Sequence, residues 1–424
     1  MNLFEEFQWR GMVYDATEGT QEMLAKERVT CYIGFDPTAS SVHVGTLLPI
    51  MALARLQRFG HSPIALVGGG TGMIGDPSGK SQERTLLTIE EIDFNARGMR
   101  AQLERFLDFN ATPNAARMMN NADWLRTIGL LEFLRDTGKH FTVNYMMAKE
   151  SVKRRLGGDD GISFTEFSYL LLQSHDYLHL HRATGCTLQM GGSDQWGNIV
   201  AGCDLIRKVE GGKAHGLVLP LVTTSAGTKF GKTEAGTVWL DPARTSERDF
   251  YQFWLTTDDR DVIKYLKFFT WLDRSAIDAL EKSLQDDPSA RAAQRRLADE
   301  VTRTVHGENA LTQVQSDAAL RFGGAVSAEA LQQVAPSATV SAEKIKAGLV
   351  NTELVLIAGL AKSKSEAFRL IEQGGITIND VAVSDPRGLV TEAQALGHRF
   401  KVSKGRRNVA VVEIIAEAER GKTT

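Results

Sequence analysis

The 424-residue sequence predicts an α/β fold built on an open parallel sheet, followed by a helical domain and a small α+β module. Three observations point there. First, residues 29–35 (VTCYIGF) are β-rich, residues 45–59 repeat apolar side chains near helical spacing, and residues 63–67 form an apolar run stopped by three glycines. Strand, helix, strand and glycine turn make a βαβ unit. Second, residues 245–322 are acidic, amphipathic and free of strand signals. Third, helix and strand patterns restart after residue 342.

Taken in order, the first strand ends at Asp36-Pro37, and the helix after it carries Leu47, Met51, Ala54 and Leu56 on its apolar side. The run at 63–67 reads as a buried parallel strand. Residues 323–342 are rich in Ala, Gly, Ser and Val with Glu329 as the one charge, and read as a linker. In the tail, residues 354–373 are helix-like, but Ser363 and Glu366 have capping-box spacing, so two short helices are expected. Gly374-Gly375 suits a left-handed cap, and residues 376–378 and 409–415 read as strands. The expected boundaries are 1–244, 245–322, a linker at 323–342, and 343–424.

Composition narrows the class. Lys+Arg 49 against Asp+Glu 52, with 42% apolar and 24% charged residues, excludes wholesale disorder, collagen and a coiled-coil rod. No apolar run approaches the ~20 residues that span a bilayer. The acidic start, MNLFEEFQWR, is unlike a targeting peptide, so a cytoplasmic protein is expected. Cys31, Cys186 and Cys203 are too scattered for a disulfide framework or a four-ligand zinc site. From residue 341 onward 13 basic residues face 10 acidic ones, leaving a net −6 on the rest of the chain. A basic tail on an acidic body suits an anionic partner such as nucleic acid, though a solvated surface gives the same imbalance.

The segment GGGTGMIGDPSGKS nearly matches two nucleotide motifs. Gly70, Gly72 and Gly75 satisfy G-x-G-x-x-G, with Glu90 downstream, but the loop signature Asp76-Pro77-Ser78-Gly79 follows where a helix must start. A Walker loop fails too, because only three residues separate Gly75 from Gly79. What remains is a glycine turn at the carboxyl end of a strand, the usual ligand position in open α/β sheets. Asp76, Lys80 and Arg84 there suit a zwitterion or a polyphosphate.

Four constellations carry chemistry. Tyr32 to Thr46 places His43 and Gly45 at a helix entrance, where unpaired N–H groups favour phosphate; a lone histidine there is also an ordinary cap. On the helix after Ser163, Tyr169, Gln173 and Asp176 fall within an arc of about 60° at ~100° per residue. A solvated face would carry Lys, Glu and Arg; a hydroxyl, an amide and a carboxylate suit a small polar ligand. Gly191-Gly192-Ser193-Asp194-Gln195-Trp196-Gly197-Asn198 is a glycine turn feeding an apolar helix, and Lys229-Phe230-Gly231-Lys232-Thr233 puts two lysines on one loop. With a helix N-terminus aimed at phosphate, those lysines can clamp a leaving pyrophosphate.

In this order the four segments resemble the bacterial tyrosyl-tRNA synthetases, a class I aminoacyl-tRNA synthetase family, nearly end to end. YIGFDPT, GDPSGK, SFTEFSYLLLQ and GGSDQWGN carry the resemblance most specifically. The tail, GLAKSKSEAFRLIEQGGITIN, resembles an RNA-binding domain shared with a small-subunit ribosomal protein. The resemblance implies a Rossmann-like parallel-sheet catalytic domain, a helical anticodon-binding domain and a small α+β RNA-binding domain. It implies a homodimer that activates tyrosine with ATP, accompanied by Mg2+ without a dedicated protein site, and transfers it to tyrosine tRNA. By the same resemblance, Tyr32 and Asp176 bind the substrate phenol, Asp76, Tyr169 and Gln173 its ammonium group, and Gln195 its carboxylate. Asp36, Gly45, Gly192 and Asp194 serve the nucleotide, and Thr38 and His43 the γ-phosphate. Lys80, Arg84, Lys229, Lys232 and Thr233 complete a cationic clamp, and Lys362, Lys364 and Arg369 contact tRNA. Three positions depart from the common class pattern: Thr46 replaces a second histidine, Ile33 a polar residue, and KFGKT stands for KMSKS. The rivals are a tryptophanyl-tRNA synthetase, against which Tyr32 with Asp176 argues, a small nucleotidyltransferase, and an RNA-binding homologue without activation.

Overall fold

A computed structural model describes residues 1–78, 87–157, 161–228, 230–233, 236–322, 327–332, 334–405 and 408–416. The chain divides into two compact units, Met1–Val305 and His306–Thr424.

The first unit is organised by a six-stranded sheet. Its strands are β1 (Asp15–Ala16), β2 (Thr30–Phe35), β3 (Ser62–Val67), β4 (Arg117–Asn120), β5 (Cys186–Gly192) and β6 (His215–Leu219), in the order β1-β6-β5-β2-β3-β4. All neighbours are parallel except the edge pair β1–β6. β3 and β6 read as continuous apolar runs and are buried almost throughout, as central parallel strands must be when both faces are covered. Helix Leu47–Arg58 packs on β3, while helices Phe164–Thr184 and Trp196–Glu210 pack on each other over β5 and β6. Their shared core joins Tyr32 and Ile64 of the sheet to Leu170, Leu178, Ala201 and Leu205. The chain leaves β2 for β3 on one side and returns as β5 on the other. This is the switch point at which open α/β sheets hold ligands beyond their strand ends.

A two-residue ribbon, β7 (Lys232–Thr233) with β8 (Gly236–Thr237), precedes the helical region. That region opens with helices Glu247–Leu255 and Asp259–Phe269, as the sequence leads one to expect. The C-terminal end of Asp259–Phe269 is capped from the sheet domain. Buried Arg55 donates to the carbonyls of Lys267, Phe268 and Thr270 at 3.3, 2.8 and 2.5 Å. Arg10, paired with Glu6, donates to Lys267 and Leu272, each at 2.8 Å. Burial holds the Arg55 guanidinium well below its usual pKa. Helix-end carbonyls and the local negative end of the dipole offset that desolvation.

The second unit holds a five-stranded sheet of β9 (Ala338–Ser341), β10 (Ile376–Ile378), β11 (Val381–Ala382), β12 (Arg399–Lys404) and β13 (Asn408–Ile415), in the order β11-β10-β12-β13-β9. Phe400 and Val402 of β12 join Leu354, Ala367 and Ile371 in its core, and Leu331 and Val334 cover Val411 on the other face. One expectation needs correction. The linker placed at 323–342 contains helix Ala328–Gln332 and strand β9, which pairs in parallel with β13. The helical stretch ends at Phe322, as expected, while the division between the compact units falls within it, at Val305 and His306. The two tail helices are present, at Asn351–Ile357 and Lys364–Glu372, with Ser363 capping the second. Glu366 completes that cap through the backbone N–H of Lys362 rather than that of Ser363. Gly374 takes the left-handed conformation, φ 67°.

Removing Arg55 strips the buried carbonyls of Phe268 and Thr270 of its donors, each worth ~1–3 kcal/mol, while Lys267 O keeps Arg10. Arg55→Met is expected to lower the unfolding free energy of the first unit by about 3 kcal/mol or more. Urea unfolding followed by tryptophan fluorescence checks this; an unchanged midpoint would contradict the capping role.

Candidate active site

A cleft of about 840 Å³ opens beyond the carboxyl ends of β2, β3 and β5. Twelve of the residues singled out in the sequence line it: Tyr32, Asp36, Thr38, His43, Gly45, Asp76, Tyr169, Gln173, Asp176, Gly192, Asp194 and Gln195. Parallel strands deliver Tyr32 and Asp36 at one edge and Gly192 at another. One helix, capped by Ser163, aims Tyr169, Gln173 and Asp176 inward together.

The floor is polar and buried. The Asp176 carboxylate is 2% exposed and accepts from Asn121 Nδ2 at 2.8 Å and Trp124 Nε1 at 2.7 Å. Burial pushes its pKa up to about 7, against the pull of those two donors. Asn121 is held in turn, donating to Thr71 Oγ1 at 2.9 Å and accepting from Gly70 N–H at 2.7 Å. Tyr32, beside Tyr177, is 1% exposed, and its hydroxyl has no hydrogen-bond partner among the described residues. Burial first, and the Asp176 charge second, raise that phenol well above its usual pKa. Gln189, the neighbour of Tyr32 across β2–β5, also buries a carbonyl without a partner among the described residues. Buried polar atoms of this kind are normally satisfied, so the floor is built for a ligand that supplies the missing partner.

Higher in the cleft, Asp76 accepts from Gln195 Nε2 at 2.7 Å and from Ser78 N–H at 2.9 Å. Asn198 Nδ2 donates to Gln173 Oε1 at 2.9 Å and lies 3.3 Å from Gln195 Oε1. A carbonyl oxygen has two lone pairs, so Gln173 keeps one for a ligand. Tyr169 is bound to Thr71; burial, then the charges of Asp36, Asp76 and Asp176, raise its phenol well above the usual range. Among the described lining residues are four aspartates and no lysine or arginine. Such a field attracts a cationic group and needs cations from its rim to admit a polyphosphate.

The rim places His43 against the loop that follows β6. His43 Nδ1 accepts from Gly45 N–H at 3.0 Å, so it is both a cap and a lining residue. Val44 N–H donates to Val238 O at 3.0 Å, Val238 N–H donates to Gly231 O at 3.0 Å, and His43 bridges Trp239. Gly231, at φ 82°, lies so close that an added Cβ would sit 2.6 Å from Val44 Cγ2. Lys232 and Thr233 therefore follow at the mouth, exposed on β7 and not lining the cleft. Lys80, Arg84 and Lys229 lie outside the described residues. Among the described residues no group of three His, Cys, Asp or Glu is placed to hold a metal ion. In the second unit Lys362, Lys364 and Arg369 are exposed. Lys364 pairs with Glu353 at 2.7 Å, and Arg369 lies five positions further along the helix, so the two flank it about 140° apart.

The sequence reading missed Asn121, Trp124 and Thr71, which orient the floor, and assigned no role to Asn198 or Gln189. Asn198 stood inside a quoted motif; Gln189 was signalled only by being a polar residue in an apolar strand.

Residues 24–323 match the family of class I tRNA synthetases (W and Y), and residues 328–412 match the tyrosine--tRNA ligase SYY-like C-terminal domain. The tyrosine--tRNA ligase of Roseiflexus castenholzii is 51% identical over 421 residues, covering 97% of this chain and 99% of the relative. Among solved structures, a C-terminally truncated mitochondrial tyrosyl-tRNA synthetase of Aspergillus nidulans is 31% identical with a TM-score of 0.69, covering 76% of this chain and 94% of that one. A tryptophanyl-tRNA synthetase of Encephalitozoon cuniculi shares the fold, at 13% identity and a TM-score of 0.54 over 75% of this chain and 90% of that one.

An unfolded Asp176 loses its proton near 3.8 and the folded one near 7, so the folded chain holds the extra proton between those values. The stability this group contributes is complete below pH 4 and lost as pH rises through 7. Asp176→Asn lacks the titration. The variant's unfolding free energy minus that of the wild type is thus expected to rise from pH 4 to 7 in urea titrations; a constant difference would contradict the assignment.

Proposed function

The chain belongs to the tyrosyl-tRNA synthetases, class I aminoacyl-tRNA synthetases that use ATP, and we propose that its cleft binds tyrosine on the Tyr32–Asp176 floor with ATP toward His43 and Lys232. The enzyme activates L-tyrosine with ATP, releasing pyrophosphate, and passes the tyrosyl group to tyrosine tRNA. One observation carries the site assignment. An unpartnered buried phenol and a buried carboxylate share the cleft floor, a geometry suited to a ligand hydroxyl that donates to one and accepts from the other.

In this reading Asp76, Tyr169 and Gln173 take the ammonium group, and the second N–H of Gln195 takes the carboxylate. Asp36, Gly192 and Asp194 serve the ribose side. Thr38 and His43 meet the phosphates, Gly45 lets the nucleotide approach the backbone closely, and magnesium enters as part of the ATP substrate. Lys80, Arg84, Lys229, Lys232 and Thr233 supply the rim cations and a hydroxyl that the anionic cleft lacks. The tyrosine carboxylate attacks the α-phosphorus in line and pyrophosphate leaves. No protein nucleophile is needed, so the residues act by positioning and by stabilising charge on the leaving phosphates.

Two further features support partners. Seven of the fourteen exposed large hydrophobics among the described residues fall between 130 and 164, including Leu130, Leu131, Val143 and Phe164. We read this concentration as the surface that pairs two copies of the chain; a monomeric mass in sedimentation equilibrium would contradict it. The second unit, with Lys362, Lys364 and Arg369, and the helices that follow the sheet are assigned to tRNA. The enzyme is assigned to the cytoplasm, where tRNA and ATP are; no helix among the described residues is long and apolar enough to cross a membrane.

Pyrophosphate exchange with tyrosine, with tryptophan and without an amino acid tests the whole reading: exchange with tyrosine alone supports it, and exchange with tryptophan overturns it. Tyr32→Phe is expected to reduce the preference for tyrosine over phenylalanine in kcat/KM by roughly five- to tenfold, the worth of a hydrogen bond of ~1 kcal/mol. An unchanged ratio would remove Tyr32 from the phenol. The triple variant Lys362→Ala, Lys364→Ala, Arg369→Ala is expected to weaken tRNA binding and flatten its salt dependence while leaving tyrosine activation without tRNA intact. Unchanged tRNA affinity would make the tail a structural cap.

A further inference from the structure

Phe230 lies between Lys229 and Gly231 in the loop at the cleft mouth, yet it is 4% exposed. Its ring is seated among four aromatic rings of the two helices that follow. Centroids of Tyr265, Phe253, Phe269 and Trp254 lie 4.8, 5.5, 5.5 and 5.6 Å away, and Phe269 is stacked within 9° of parallel. Helix Asp259–Phe269 grips the same loop twice more. Tyr265 Oη donates to Thr223 O at 3.2 Å, and Asp261 Oδ2 accepts from Ser225 N–H at 2.8 Å. The far end of that helix is capped by Arg55, which sits on the helix that His43 and Gly45 introduce.

These contacts close a circuit. From His43 the path runs along helix Leu47–Arg58 to Arg55, across to helix Asp259–Phe269, through its rings to Phe230, and back by Gly231 to Val44. Gly231 is the one residue between the seated ring and Lys232, and its φ of 82° turns the chain toward the His43 side. Phe230 also lines the cleft, and where Lys232 stands is thus set by the aromatic seat of that buried ring. Electrostatic stabilisation of a leaving phosphate depends steeply on such placement.

We propose that Phe230 is a positioning residue for tyrosine activation, and that its aromatic seat on helices Glu247–Leu255 and Asp259–Phe269 holds the Lys232 segment against His43. The proposal rests on the assignment of Lys232 to the phosphates. It extends the reaction's machinery to the four helix rings that seat Phe230, none of them among the described lining residues. A merely structural phenylalanine would affect the yield of folded enzyme and not the rate of each folded site.

The test is single-turnover formation of tyrosyl-adenylate by the full-length enzyme, with each rate divided by the tyrosine-binding sites titrated by equilibrium dialysis. Phe230→Ala is expected to slow activation per site by on the order of 10- to 100-fold with the tyrosine Kd within about twofold of wild type. Phe230→Met, flexible and of similar volume, is expected to restore most of the rate. A per-site rate for Phe230→Ala close to wild type, or a Met variant as slow as Ala, overturns the proposal. If the alanine variant yields no tyrosine-binding protein, Phe269→Leu thins the seat without altering the loop. A severalfold slower rate per site then supports the proposal, and a wild-type rate overturns it. Lys232→Ala is measured alongside: if that variant activates normally, the phosphate assignment of the loop has failed rather than the seat.

Discussion

A carboxylate, a phenol and an amide carbonyl are buried together at the floor of the cleft. The Asp176 carboxylate is tolerated because Asn121 and Trp124 each donate to it, and Asn121 is itself locked by Thr71 and the Gly70 backbone. Tyr32 has no such donor or acceptor among the described residues. An unsatisfied buried hydroxyl disfavours the empty state and favours a ligand that completes it, so selectivity for a phenol follows from what the floor lacks. Everything above the floor is arranged around that asymmetry. Asp76, Gln195, Asn198 and Gln173 are linked into one hydrogen-bonded net, which the proposed reading assigns to the amino-acid end of the ligand, leaving the phosphates to the rim.

On the proposed reading, that division leaves the aspartates in the cleft proper and Lys232 on the short ribbon at its mouth. Lysines placed among Asp36, Asp76, Asp176 and Asp194 would neutralise them and blunt the attraction for an amino group. On the proposed reading, cations outside the cleft meet the triphosphate and leave the inner field intact. The cost of a rim is imprecision, since a loop is less fixed than a strand. Here the loop is tied back to a helix by an aromatic ring, a tyrosine hydroxyl and an aspartate, and that helix is tied to the sheet domain through Arg55.

Much of this was legible in the sequence, and the legible parts share a cause. Strand ends and glycine turns announce themselves because backbone and side chain crowd there: a Cβ on Gly68 would lie 2.5 Å from Asp36 Oδ1, and one on Gly192 equally close to Asp194 Oδ1. The polar arc of Tyr169, Gln173 and Asp176 was readable because helical periodicity is local. Asn121 and Trp124 were not, since they reach Asp176 across 55 and 52 residues and follow β4, a half-buried edge strand without an apolar run. β9 was hidden for a similar reason. Its sequence, ATVS, has a linker's composition, and it becomes a strand only by pairing with β13 some seventy residues on. Lys364 and Arg369 looked alike as basic residues, whereas the fold pairs one with Glu353 and turns the other to a different side.

A crystal structure of the full-length enzyme with L-tyrosine bound would decide the matter. The account places the ligand's phenolic oxygen within hydrogen-bond distance of both Tyr32 Oη and the Asp176 carboxylate, with the amino group among Asp76, Tyr169 and Gln173. A tyrosine bound the other way round, or one whose phenol leaves Tyr32 Oη without a partner, would contradict it.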